Sequence, residues 1–248
     1  MNKDTIRKSY IEEGFDNDKF ENAYKEYENI KPFKINENIE TLGGISDEAH
    51  FIMRKVAQYH LEEVFKAMKI DLTDPNVEGE KGTPYRIIKM WTGSGLDDPT
   101  ELLSGRWSKK PRLATFPNEH HKKIPITKRV DVVAVCSHHM APFSTKFRND
   151  AYAIVSYIPD KKVLGISKLQ RIVDWVARRG WLQEELTMQI YKEISKAAET
   201  ESVYVKLYNL VHTCESLRGA QSEDGAFTSE YYGGAFEDPE IRKQIQQN

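Results

Sequence analysis

Only two cysteines, Cys136 and Cys214, occur in the 248 residues, too few for a scaffold stapled by disulfides. No apolar run approaches the ~18 residues that a membrane-crossing helix needs. The opening Met1-Asn-Lys-Asp-Thr5 is too polar for a secretory h-region, so a cytoplasmic protein without a membrane partner is expected. Neither sign of charge is in excess: 36 Lys+Arg against 38 Asp+Glu leave a net charge of −2. That balance lacks the basic surplus of a general nucleic-acid binder, and any anion site must be local. Internal repeats and long Gly/Ser linkers are absent as well. What remains is 39% hydrophobic and 30% charged residues, an ordinary globular composition long enough for one large domain or a domain with an appendage.

Residues from about Asp4 to Ile35 are charged with scattered aromatics and predict one or two helices without a chemical motif. Ser46-Asp-Glu opens an amphipathic helix to about Ile70, whose stripe of Phe51, Ile52, Val56, Tyr59, Leu61, Val64, Phe65 and Met68 reads as core. A further helix starts at Thr83, read as N-cap, with Pro84 at its first position. Segments 129–136 and 148–158 are β-rich, helices follow at about 167–179 and 182–199, and strands at 202–214 and near 226–231. This order predicts an α+β domain with a mainly antiparallel sheet. The basic stretches Lys109-Lys-Pro-Arg112 and His120-His-Lys-Lys123 are read as solvated loop.

Chemistry concentrates in Cys136-Ser-His-His139 and His212-Thr-Cys214. A Cys-x-x-His pair with a distant Cys closes three sides of a tetrahedral zinc site and leaves one position for water, a catalytic rather than a structural arrangement. His212, two residues from Cys214 on a strand, is expected beside it on the same face, within reach for proton transfer. Of His138 and His139, one is expected to bind metal. Ordinary buried thiols, a solvated His-His pair and a Cys136–Cys214 disulfide are the competing readings. Leu164-Gly-Ile-Ser-Lys-Leu-Gln-Arg171 puts Ser167 at a helix N-cap with Lys168 and Arg171 behind it, a phosphate cradle if not simply a solvated basic face. Arg218 follows the second cysteine and suits a bidentate phosphate contact. Glu184 and Glu185 complement a helix dipole, or one of them turns into a pocket to accept the paired N–H groups of a heterocycle such as guanine.

Taken together, the motifs Thr-Pro-Tyr-Arg86, Cys-Ser-His-His139, Leu-Gly-Ile-Ser-Lys-Leu-Gln-Arg171, Leu-Gln-Glu-Glu-Leu-Thr187, His-Thr-Cys-Glu-Ser-Leu-Arg-Gly219 and Thr-Ser-Glu-Tyr-Tyr-Gly-Gly-Ala-Phe236 resemble zinc-dependent GTP cyclohydrolase I from about Ile45 onward. The resemblance implies a division into an N-terminal extension, 1–44, and a catalytic domain, 45–248. It implies a tunnelling fold with helices on one face of the sheet, and subunit sheets pooled into a barrel in a ring homodecamer with active sites between subunits. The implied reaction converts GTP and water to 7,8-dihydroneopterin triphosphate and formate, by attack of a zinc-held water on purine C8, ring opening, Amadori rearrangement and reclosure.

By the same resemblance, Cys136, His139 and Cys214 bind Zn²⁺, His138 and His212 transfer protons, and Glu184 with Gln183 holds the guanine edge. Ser167, counted with the catalytic set, receives the triphosphate together with Lys168, Arg171 and Arg218, and Arg86 reaches it from a neighbouring subunit. Two departures stand out: Ser137 occupies the place of a family glutamate, and Glu223, Asp224 and Gly225 replace a stretch richer in Ser and Thr. A sister tunnelling-fold pterin or deazapurine enzyme and a non-catalytic, zinc-stabilised GTP-binding oligomer are the alternatives. The product's destination, whether folate, biopterin or a 7-deazaguanine, is open.

Overall fold

The computed structural model describes residues 2–79, 81–98, 100–119, 124–222 and 225–246; the His120–Lys123 stretch, Glu223 and Asp224 lie outside them. The chain forms two compact units, 1–109 and 110–248. This division follows packing, and differs from the one at residue 44 that the resemblance suggests. No helix among the described residues is long and apolar enough to cross a membrane.

The first unit is helical, with α1 (Lys3–Glu12), α2 (Phe20–Asn29), α3 (Asp47–Ala67) and α4 (Thr83–Thr92). Its scattered aromatics make a core: Ile6, Tyr10, Phe20, Ala23, Phe51 and Ile52 are buried together, with the Tyr10 ring stacked on Phe15 at 4.9 Å. Ser46 caps α3 as expected, its Oγ accepting from the Ala49 N–H at 3.1 Å. Two expectations need correction. Gly82, not Thr83, is the N-cap of α4, and Thr83 begins the helix with Pro84 after it. The α3 stripe is core only in its first half, since Val64 is 50% and Met68 65% exposed. The reason is length: α1 and α2 have 10 residues each against 21 in α3, or about 15 Å of cover for about 31 Å of helix.

The second unit carries β1 (Thr115–Pro117), β2 (Ile126–Val130), β3 (Val133–Cys136), β4 (Pro142–Ser144), β5 (Tyr152–Tyr157), β6 (Lys162–Leu164), α5 (Ile166–Ala177), β7 (Gly180–Trp181), α6 (Gln183–Ala198), β8 (Val203–His212), the single turn α7 (Thr213–Ser216), β9 (Phe227–Tyr232) and α8 (Pro239–Gln246). Seven of the strands make a mixed, largely antiparallel sheet in the order β2-β5-β8-β4-β3-β7, with β9 also paired to β8. No barrel closes on itself among the described residues of the chain. Val203, Val205 and Leu207 of β8 join Ala153 and Val155 of β5 under Leu169, Ile172 and Val173 of α5 and Leu186, Ile190 and Ile194 of α6. Helices were expected on one face only, but the alternate residues Ile154 and Tyr204 pack with Phe236 and Ile245. The other face of the sheet is thus partly covered by the C-terminal segment, because period-two alternation gives both faces of β5 and β8 large apolar side chains.

One irregularity positions the site. The pairing of β8 with β9 shifts register between Leu207 and Leu210, where Asn209 adopts φ 54°. Its N–H donates to Thr228 Oγ1 at 3.2 Å and its amide nitrogen to Asp150 Oδ2 at 3.1 Å. The extra residue reverses the alternation, so Leu210 rejoins the face of Val205 and Leu207, and His212 follows on that face. A β-branched residue is strained in the left-handed region, so Asn209→Val is expected to lower stability by about 1–3 kcal/mol. Asn209→Gly, which accepts the dihedral, should cost less than half of that in a urea titration; equal losses would remove the backbone explanation.

Candidate active site

Three strand pairings assemble the site. The β3–β4 hairpin turns through Ser137–Ala141, closed by the Cys136 N–H donating to Ala141 O at 2.8 Å and the Met140 N–H to Cys136 O at 2.9 Å. This turn leaves His138 and His139 exposed while Cys136 stays buried. Parallel pairing of Cys136 with Trp181, extended by the Ser137 N–H donating to Trp181 O at 3.1 Å, holds the start of α6 beside the turn. Antiparallel pairing of Phe143 with His212, and the Thr213 hydroxyl donating to Pro142 O at 2.7 Å, brings the end of β8 to the same place. Cys214 does not ride on the strand, as the sequence reading had it, because β8 ends at His212 and Cys214 lies in the α7 turn.

The ligating atoms of Cys136, His139 and Cys214 all lie within 4.8 Å of one another. In a tetrahedral zinc site with Zn–S ~2.3 Å and Zn–N ~2.0–2.1 Å, ligand atoms stand about 3.5–3.8 Å apart. The cluster therefore fits the ion after a contraction of at most about 1.3 Å, within reach of side-chain rotation. The donor set of two sulfurs and one imidazole also suits zinc. Burial raises the Cys214 pKa, and the neighbouring Cys136 thiol raises it further. Two thiols pressed together resist ionisation until a cation shares the charge. His138 stands outside the cluster, its ring 6.2 Å from that of His139 and nearly perpendicular to it.

An open pocket of about 450 Å³ faces the cluster, lined also by His138, Gln183, Glu184, His212, Arg218 and Phe227, a volume within the range of small-molecule sites. Of the two glutamates that local pattern left equivalent, Glu184, the one the resemblance singled out, lines the pocket. His212 is stacked face to face on Phe143, with ring centroids 4.2 Å apart and planes 8° apart, and Phe227 meets it edge-on at 5.3 Å. Burial lowers the His212 pKa, partly offset by the charge of Glu184, which favours the uncharged ring. Its Nε2 lies 2.8 Å from Gln183 Oε1.

Ser167, Lys168 and Arg171 lie in the first turns of α5 and are not among the residues lining this pocket. Ser167 is not the N-cap, since Gly165 holds that position and Ser167 is the second residue of α5. Arg86 belongs to the helical unit, where its guanidinium donates to Lys81 O, Asn76 O and Thr83 Oγ1 at 3.0–3.2 Å. Sequence reasoning missed Phe227 and Trp181 as walls and Glu215 as a pocket residue, and Phe143 as the ring stacked on His212. It also missed Thr187 and Ser229, although both fall inside quoted motifs and Thr187 lies one turn after Gln183.

The sequence matches known proteins along most of the chain. The family model described as GTP cyclohydrolase I matches residues 58–248. A protein named GTP cyclohydrolase 1 from Flavobacterium johnsoniae is 32% identical over 187 residues, 75% of this chain and 76% of that one. Another so named, from Parabacteroides distasonis, is 32% identical over 77% of this chain and 90% of its own. A third, from Porphyromonas gingivalis, is 34% identical over 69% and 82%. Because the matched span takes in the whole thiol–imidazole cluster and every residue named around its pocket, the chain belongs to the GTP cyclohydrolase I family.

Proposed function

We propose that this protein converts GTP and water to 7,8-dihydroneopterin triphosphate and formate. The observation that carries the reading is a Cys136/His139/Cys214 donor cluster sharing one pocket with an aromatic-clamped histidine, a free carboxylate and an arginine. Zinc bound there would supply Lewis acidity, lowering the pKa of a water toward ~7. Glu184 would accept guanine N1–H and the 2-amino group on its two oxygens and so fix which purine edge enters. His212, half-buried in the pocket wall, would take and return protons at the ring nitrogen left free by Gln183. His138, exposed at the pocket, would be the second proton carrier, with Ser167 completing the catalytic set. Arg218 would grip the triphosphate at the pocket, and Ser167, Lys168 and Arg171 would receive it at the start of α5.

The family reading extends to a tunnelling fold assembled as a ring homo-oligomer, with Arg86 donated by a neighbouring copy. Arg86 would then exchange some of its present backbone partners for phosphate. Location in the cytoplasm and a division into extension and catalytic domain near residue 44 belong to the same proposal.

The test is to incubate zinc-loaded protein with GTP and quantify formate and pterin. Equimolar products are expected, with His212→Ala lowering kcat by about 10²–10⁴, the range of general acid–base catalysis. Formate without pterin would restrict the proposal to ring opening. A folded, zinc-bound protein that yields neither product would overturn it in favour of a non-catalytic binding role.

A further inference from the structure

We infer that Ser229 and Thr187 are positioning residues for His212: their hydroxyls fix the direction of the Gln183 amide and, through it, which imidazole nitrogen carries the proton. The inference rests on the catalytic role proposed for His212. Once Thr187 donates to the main chain of α6, each remaining hydrogen in the network has one place. Thr187 Oγ1 lies 2.8 Å from the main-chain oxygen of Gln183, one turn earlier on α6, and a carbonyl only accepts, so the threonine proton is spent there. At its 2.7 Å contact with Ser229 Oγ, Thr187 must therefore accept, and the serine proton is spent in turn. Ser229 then accepts from Gln183 Nε2 at 3.0 Å. The second amide hydrogen goes to Phe227 O at 3.2 Å.

With both amide hydrogens committed, Gln183 turns its oxygen to His212, and an amide oxygen cannot donate. His212 Nε2 must donate across the 2.8 Å contact. In its uncharged form the ring thus carries its proton on Nε2 and its lone pair on Nδ1, and no described group hydrogen-bonds Nδ1. Gln183 is 4% and Thr187 1% exposed, so these two side chains are shielded from water, while Ser229 and His212 are half-buried. A flipped amide would set its oxygen against Phe227 O, acceptor facing acceptor. Phe143 and Phe227 hold the plane of the ring, but neither can choose its tautomer.

The stakes are large, since a histidine base held in the wrong tautomer loses ~10⁴ in kcat. Removing one hydroxyl only loosens the amide, so Ser229→Ala is expected to lower kcat about 10-fold, with KM for GTP within about twofold, the scale of lost outer partners. Ser229→Thr, which keeps the hydroxyl, should stay within about twofold of the parent. A serine that only packs would not give this pattern.

A second readout is independent of turnover. In solid-state spectra of zinc-loaded protein with ¹⁵N-labelled histidine, the signals lost in His212→Ala should report a protonated Nε2 and an unprotonated Nδ1. In Ser229→Ala they should become mixed. Full kcat in Ser229→Ala, a Ser229→Thr variant as impaired as the alanine one, or a protonated Nδ1 in the parent would each overturn the inference. If the parent releases no formate, the functional reading fails, while the spectra still decide whether this wiring sets the tautomer.

Discussion

Cys214→Ala is expected to leave a folded protein that retains about a tenth or less of the zinc per chain and releases formate at least ~10³-fold more slowly, since the attacking water then loses the metal that would bring its pKa toward ~7. Cys214 is the better of the two thiols to remove, because Cys136 sits in the sheet core at 5% exposure and its loss would disturb packing. Cys214 lies in the short α7 turn, where the strand has already ended. Truncating it leaves one sulfur and the exposed His139, a two-point site without the convergence that three mutually close donors give. Zinc content after gel filtration, thermal unfolding and formate release should be measured on the same preparation. Stoichiometric zinc in the variant would show that Cys214 is not a ligand, and undiminished turnover would remove the cluster from the chemistry.

The cluster was legible in sequence because its residue types are scarce: with two cysteines in the chain, spacing alone left few ways to build a metal site. Helices α5 and α6 were legible from apolar periodicity, within one or two residues at each end. What composition and local pattern did not reveal was any feature set by pairing across distance. The pairing of β3 with β7 decides that Glu184 rather than Glu185 meets the pocket, and no local property separates those two neighbours. The Asn209 bulge decides which face His212 occupies, and a strand read as regular alternation from Val203 to Cys214 puts it on the opposite side from Leu207. The half-bare α3 is the same kind of miss, since the stripe was visible but the shortness of its covering helices was not weighed against it. Thr187 and Ser229 look like an interior helix threonine and an edge-strand serine until Gln183 joins them.

His50 gives the helical unit an acid sensitivity of its own. Its side chain is fully buried on α3, neither ring nitrogen has a hydrogen-bond partner among the described residues, and its ring lies 5.6 Å from that of Trp107. Burial, with a smaller contribution from the Arg54 charge, depresses its pKa to about 3. Once unfolded, it returns to about 6.5. The unfolded chain therefore binds the extra proton between those values. The stability is fully present above about pH 6.5 and is lost progressively as pH falls toward 3. At pH 5 the loss reaches about 2 kcal/mol, from about 1.36 kcal/mol per pH unit over roughly one and a half units. His50→Phe keeps a flat ring against Trp107, removes the proton site, and removes two polar atoms whose burial without partners costs about 1–3 kcal/mol. The variant should therefore be at least as stable as the parent at pH 7, and should lose roughly 2 kcal/mol less on transfer to pH 5. Urea unfolding of both proteins at the two pH values isolates this difference, because every other titrating group is common to them. Parallel losses in parent and variant would mean that the acid sensitivity of this unit lies elsewhere.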